Sequence, residues 1–192
     1  MYNTIKRSFE LAHQTLSGFM ANEDNFVEIQ RVANAIARCF REGGKCIIFG
    51  NGGSMCDATH FAEEFTGRFR NERPALPCIA ISEPSHLSCV GNDYGFEEVF
   101  SRGVEAFARP DDFVIGISTS GNSPNVIRAL QKAQDLGCFT FALLGKDGGL
   151  LKDACDFELI VPAATSDRAQ EIHTLILHII IECVEIELYP EL

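Results

Sequence analysis

Apolar residues recur along this chain with two different rhythms, and the change of rhythm divides it. Ile5, Phe9, Ala12, Leu16 and Phe19 step by threes and fours, as do Ile29, Val32, Ala33, Ile36, Ala37 and Phe40. That spacing predicts two amphipathic helices, the second closed by Gly43-Gly44. From residue 46 onward, short apolar runs alternate with helical stretches. The runs over 46–50, 78–82, 113–118, 138–144 and 157–161 predict strands. The stretches over 54–69, 96–108 and 124–136 predict helices, with a short turn near 149–154. The strands are nearly continuous in apolar residues, as expected when both faces of a sheet are covered. The rhythm predicts an α/β fold, a doubly wound and mainly parallel five-stranded sheet. An N-terminal helical pair over 1–43 precedes it and a long helix over 167–188 closes it. With no repeat or linker in view, residues 1–192 are expected to form a single domain.

Composition narrows the partners. The chain has 192 residues, 46% hydrophobic, and 15 phenylalanines that need burial, enough for one core without staples. Its formal charge of -11 argues against nucleic acid and anionic membrane surfaces, which are bound through clustered Lys and Arg. A small anion stays possible, because a few oriented dipoles suffice for one phosphate. The eight cysteines, at 39, 46, 56, 78, 89, 138, 155 and 183, form no C-x-x-C pair. Several sit inside apolar runs, so they read as reduced, small hydrophobes rather than zinc ligands. No signal-peptide core opens the chain, and the most apolar segment, over 175–184, is interrupted by His178 and Glu182. A soluble cytoplasmic protein is expected.

Two strand ends carry unusual loops: Gly50-Asn51-Gly52-Gly53-Ser54 and Ser118-Thr119-Ser120-Gly121-Asn122-Ser123-Pro124. Ligands in open α/β sheets bind beyond the carboxyl ends of strands. In the second loop Ser123 suits a helix N-cap and Pro124 the first helical position. Neither loop is a dinucleotide fingerprint, since Met55 stands where the third glycine belongs. Gly145-Lys146 is followed by Asp147 and is no P-loop. Either loop alone is as well read as a turn with a cap. Two on neighbouring strands favour a shared cradle for a phosphate dianion.

His60, Glu64 and Arg68 step by four and share one helix face. Such a stripe is commonly a solvated ion-pair ladder, yet His and Glu at this spacing also clip a divalent metal. Gln170, His173 and His178 follow Ser166-Asp167 on the last helix. A histidine set among Leu175, Ile176, Leu177, Ile179 and Ile180 is more often a hydrogen-bonded core residue than a ligand.

The segments Gly50-Asn51-Gly52-Gly53-Ser54, His60-Phe61-Ala62-Glu63-Glu64, Gly91-Asn92-Asp93, Ser118-Thr119-Ser120-Gly121-Asn122-Ser123 and Gln170-Glu171-Ile172-His173 resemble the bacterial phosphoheptose isomerases, of the sugar isomerase (SIS) fold. The resemblance runs in unbroken order from the N-terminal helices to His178. The serine loop is general to SIS proteins, whereas His60, Glu64, Gln170 and His178 together are far more specific. The resemblance implies one zinc ion per subunit, held by His60, Glu64, Gln170 and His178. It implies that Asn51, Gly52, Gly53, Ser54, Glu64, Asn92, Asp93, Ser118, Thr119, Ser120, Ser123 and Gln170 contact the sugar phosphate. Arg68 and Asp167 match positions near that site. It further implies a homotetramer with active sites at subunit interfaces, to which the helical pair contributes. The implied reaction turns sedoheptulose 7-phosphate into D-glycero-D-manno-heptose 7-phosphate, a first step towards ADP-heptose and the lipopolysaccharide core.

Moving a proton between C1 and C2 through an enediol needs a base for the carbon-bound proton and an acid for the developing oxyanion. Glu64 is the expected base and His178 the expected acid. A zinc-bound carboxylate is a weaker base, which sets a tension on Glu64. Two rival readings remain at this point: a non-catalytic SIS module that associates with the bacterial replication initiator, and an isomerase for another sugar phosphate such as a pentose phosphate. Retention of both Glu64 and His178 favours an enzyme over the first.

Overall fold

The computed structural model describes residues 1–191. Helices α1 (Tyr2–Met20) and α2 (Asp24–Arg41) lead into strand β1 (Cys46–Gly50) and helix α3 (Gly53–Thr66). Strand β2 (Cys78–Ala80), α4 (Pro84–Asp93), α5 (Ser101–Phe107) and β3 (Phe113–Ser118) follow. Then come α6 (Pro124–Asp135), β4 (Phe139–Gly145), β5 (Phe157–Val161) and α7 (Ser166–Leu188). All strands pair in parallel, in the order β2-β1-β3-β4-β5.

The near-continuous apolar runs are explained by two cores. Ile48, Phe113, Ile115, Ile117 and Leu143 pack with α1, α2, α3 and α7, through residues such as Val32, Phe61, Phe65, Ile176 and Ile180. The intervening Ile47, Phe49, Val114, Ala142 and Leu144 pack with α4, α5 and α6. Successive strand residues point to opposite faces, so a sheet covered on both sides must be apolar at every position. Each large side chain fully buried here contributes roughly 1.5–3 kcal/mol.

Two segments depart from the predicted elements. Residues 84–93 form a helix where none was expected. Glu83 caps it by accepting the His86 amide (2.7 Å) and Pro84 takes the first helical position, a start favoured by local chemistry alone. It buries only Val90, so it carries almost no apolar periodicity. The predicted helix 96–108 is instead a 3-10 turn, Phe96–Glu98, followed by α5. The Ser101 hydroxyl bonds back to the Glu98 carbonyl (3.1 Å) at that break, the competition with helix geometry that serine offers. The turn near 149–154 is a 3-10 turn, Gly149–Leu151. No helix among the described residues is long and apolar enough to cross a membrane.

The eight cysteines are all free thiols. Burial pushes Cys39, Cys138 and Cys155 up to about 11, so they stay protonated at neutral pH.

Candidate functional site

Strand order reverses between β1 and β3, and at such a switch point open α/β sheets take ligands in a crevice outside the strand carboxyl ends. Both glycine-serine loops border it. Gly52 caps α3 with φ +56°, and no side chain caps that helix start. Ser123 is the N-cap of α6 and Pro124 its first residue. The Ser123 hydroxyl is turned to Ser118 Oγ (3.0 Å) instead of the helix amides. Thr165 precedes α7, again without a side-chain cap bond.

Three ties draw these helix starts together. Asn51 and Asn125 exchange two amide hydrogen bonds (2.9 and 2.8 Å) and so lock the α3 loop to α6. The Thr119 hydroxyl donates to Ser166 Oγ (3.1 Å), joining the β3 loop to α7. The Gln170 amide lies against Gly53, where an added Cβ would meet it at 2.6–2.8 Å. Three helix N-termini with positive dipole ends and no side-chain cap bond are thus tied together beside the switch point, an arrangement suited to an anion. Gly121 makes the serine loop possible. It has φ +64°, and a Cβ there would strike the Gly148 carbonyl at 1.8 Å.

Deeper along α3 and α7 lies a second cluster. His60 Nε2 stands 3.1 Å from Glu64 Oε1 and 3.3 Å from His178 Nε2, and one ligand atom from each residue falls within 4.8 Å of the others. A tetrahedral zinc with bonds of about 2.0–2.1 Å separates its ligand atoms by about 3.3 Å. Imidazole and carboxylate donors at this spacing fit a divalent metal. Phe69 stacks on the His178 ring (centroids 5.7 Å, 28°), restricting its rotation. One turn before His60, Asp57 Oδ1 accepts the Thr174 hydroxyl of α7 (2.8 Å), while its buried Oδ2 has no partner among the described residues. Burial raises the Asp57 carboxyl, opposed by the Thr174 bond and by His60 and His178 nearby. An orphaned carboxylate oxygen beside two histidines is what a cationic centre would stabilise.

The expected site residues therefore fall into groups. His60, Glu64 and His178 meet. Asn51, Gly52, Gly53, Ser54, Ser118, Thr119, Ser120 and Ser123 stand at the two strand-to-helix turns of the switch point, and Gln170 packs against Gly53. Gln170 precedes His178 by eight residues, about 12 Å along the helix, with its amide at the Gly53 end. Asn92 and Asp93 are exposed at the end of α4, where Asn92 donates to Asp93 (2.7 Å). Arg68 is exposed beside Glu72, and Asp167 beside Arg168. His173, which shares α7 with His178, is the residue that behaves as core. It is fully buried, bonded through Nε2 to the Leu144 carbonyl (2.8 Å), and burial pushes it down to about 4.

Sequence reasoning missed Asn125, Asp57, Thr174 and Arg73. Asn125 follows the first helical proline and offered a signal as a polar residue on the inner face of α6. The other three act only through contacts across more than 60 residues or with backbone, and no local pattern marks them.

A parallel sheet in this order with a serine-rich loop at its switch point is a doubly wound α/β fold, and the SIS domain family matches residues 10–145. The chain is 57% identical over 191 residues to a phosphoheptose isomerase from Fusobacterium nucleatum, covering 100% of this chain and 96% of the relative. It is 51% identical over 190 residues to that of Edwardsiella ictaluri, covering 98% of each. The solved phosphoheptose isomerase of Francisella tularensis superposes with a TM-score of 0.90 at 34% identity, covering 95% of this chain and 97% of that one. The chain belongs to the SIS-domain family and, within it, to the phosphoheptose isomerases. It is an isomerase of a sugar phosphate.

Proposed function

We propose that the protein converts sedoheptulose 7-phosphate to D-glycero-D-manno-heptose 7-phosphate, supplying heptose for a lipopolysaccharide core from the cytoplasm. The observation that carries this reading is the meeting of His60, Glu64 and His178 on α3 and α7, two of the helices that start beside the switch point between β1 and β3. The helix starts of α3, α6 and α7, with the hydroxyls of Ser54, Ser118, Thr119, Ser120 and Ser123, would hold the phosphate. This explains how a chain of net charge -11 binds a dianion: oriented amides and hydroxyls take the role of a basic patch. Holding the remote phosphate orients the reacting carbons, so that binding far from the chemistry raises its rate.

Glu64 would take the C1 proton of the ketose and return a proton to C2. His178 would move the proton between O2 and O1, so the enediol forms and collapses with no net change in atoms. A zinc ion held by His60, Glu64 and His178, with Gln170 as a further ligand after its amide moves, would polarise the sugar oxygens. Glu64 would be both a residue that could hold the metal and the base for the carbon-bound proton. Asn92, Asp93, Arg68 and Asp167 stand exposed in one protomer, consistent with a homotetramer that completes the site at an interface. The exposed Tyr2, Ile5 and Phe9 of α1 give the helical pair of the single 1–192 domain an apolar surface for that assembly.

The test is incubation with sedoheptulose 7-phosphate and with arabinose 5-phosphate in D2O. We expect the heptose product from the first only, with deuterium entering at C2. Turnover of the pentose phosphate in preference would reassign the substrate, and turnover of neither would favour a binding module.

A further inference from the structure

We infer that Arg73, which lies outside the substrate crevice, is a positioning residue that sets the geometry of the His60–Glu64–His178 cluster. The inference rests on the proposed metal reading for its binding consequence, but its structural core stands without a metal. The Arg73 side chain is 0% exposed. Its guanidinium donates to the carbonyls of Glu64 (2.7 Å), Phe65 (2.8 Å) and Gly67 (3.3 Å) at the C-terminal end of α3. Those carbonyls lack partners within the helix, and a buried cation there also meets the negative end of the helix dipole.

The remaining donor reaches the second helix. Arg73 Nε donates to Glu185 Oε1 (2.7 Å), and Glu185 follows His178 by seven residues, two turns further along the same face of α7. A planar fork with five donors can serve the carbonyls and the carboxylate together, which a lysine cannot. Arg73 also closes the segment after α3 that carries Phe69 onto the His178 ring. One side chain therefore holds the backbone of Glu64, the helix of His178 and the aromatic wall behind it. At the other end of the cluster the Thr174–Asp57 bond makes the matching tie between α7 and α3. The cluster sits between two bolts, of which Arg73 is the buried ionic one.

Outer partners of this kind typically change metal affinity by about 10–100-fold. Arg73→Lys and Glu185→Gln should each stay folded and weaken Zn2+ binding by about tenfold or more, measured by competition with a chromophoric chelator. Leu130→Ala, in the core on the opposite face of the sheet, lowers stability without touching either helix end and should bind Zn2+ as the wild type does. In the metal-free protein, the imidazole 15N resonances of His60 and His178 should shift in Arg73→Lys while those of His173 stay in place. Unchanged affinity in a folded Arg73→Lys protein, or an equal loss in Leu130→Ala, would overturn the inference. If Arg73→Lys fails to fold, Glu185→Gln decides by the same readings. If the wild type binds no Zn2+, the metal reading falls by itself and the imidazole resonances decide: a shift supports Arg73, none refutes it.

Discussion

The crevice at the loops and the cluster on the helices are neighbours, yet they are built by opposite means. The crevice is made of short segments, 50–54 and 118–124, whose hydroxyls and amides are placed by the strand-to-helix turns that contain them. The cluster is made of side chains 118 residues apart in sequence, His60 and His178, brought together only by the packing of α3 on α7. Local geometry shapes each loop of the first, with ties such as Asn51–Asn125 joining them, whereas tertiary geometry alone assembles the second. Binding of an anion should therefore tolerate changes in the packing of α3 on α7 better than proton transfer does.

That contrast can be broken most sharply at the cluster. Glu64→Gln and His178→Gln should each lower kcat by about 10²–10⁴-fold with KM changed far less, in a steady-state isomerase assay. A variant with near wild-type turnover removes its residue from the mechanism. At the crevice, Gly53→Ala drives a methyl group into the Gln170 amide. A displaced Gln170 should cost about 10–100-fold in kcat/KM and weaken Zn2+ binding as well, since Gln170 would serve both substrate and metal. Unchanged Zn2+ affinity would remove Gln170 from the metal site.

A test on stability instead of turnover separates the two histidines of α7. His173 is buried neutral at about 4 while an unfolded histidine titrates near 6.5. Below pH 6.5 the unfolded chain takes up a proton that the folded chain refuses, so folding stability is fully present above 6.5 and falls towards pH 4. The loss reaches about 3 kcal/mol at most for this one group. Comparing urea unfolding at pH 7 and pH 4.5, His173→Gln should show a shallower decline than the wild type. Equal slopes would mean that His173 is protonated in the folded state.

The same division explains what could be read in the sequence. Five strands, the closing helix and both loops were legible, because each is written in contiguous apolar runs or in glycine and serine at strand ends. Helix α4 was not, since it buries little and is held by the Glu83 cap and Pro84 rather than by a stripe. On α7 the apolar surroundings of His178 suggested a core residue, but it is His173, five residues earlier, that fills this role. Helical phase separates the two, and an apolar run hides phase because both faces look alike. Arg73 left no local mark, as its partners are backbone carbonyls and a glutamate 112 residues away.

The central claim is that the His60–Glu64–His178 cluster works as a metal-dependent proton-transfer centre for a heptose phosphate. The most direct measurement titrates Zn2+ into metal-free protein while following turnover of sedoheptulose 7-phosphate. The account predicts activity that starts near zero, rises linearly and levels off at one equivalent per chain. Full activity in thoroughly metal-free protein would contradict it.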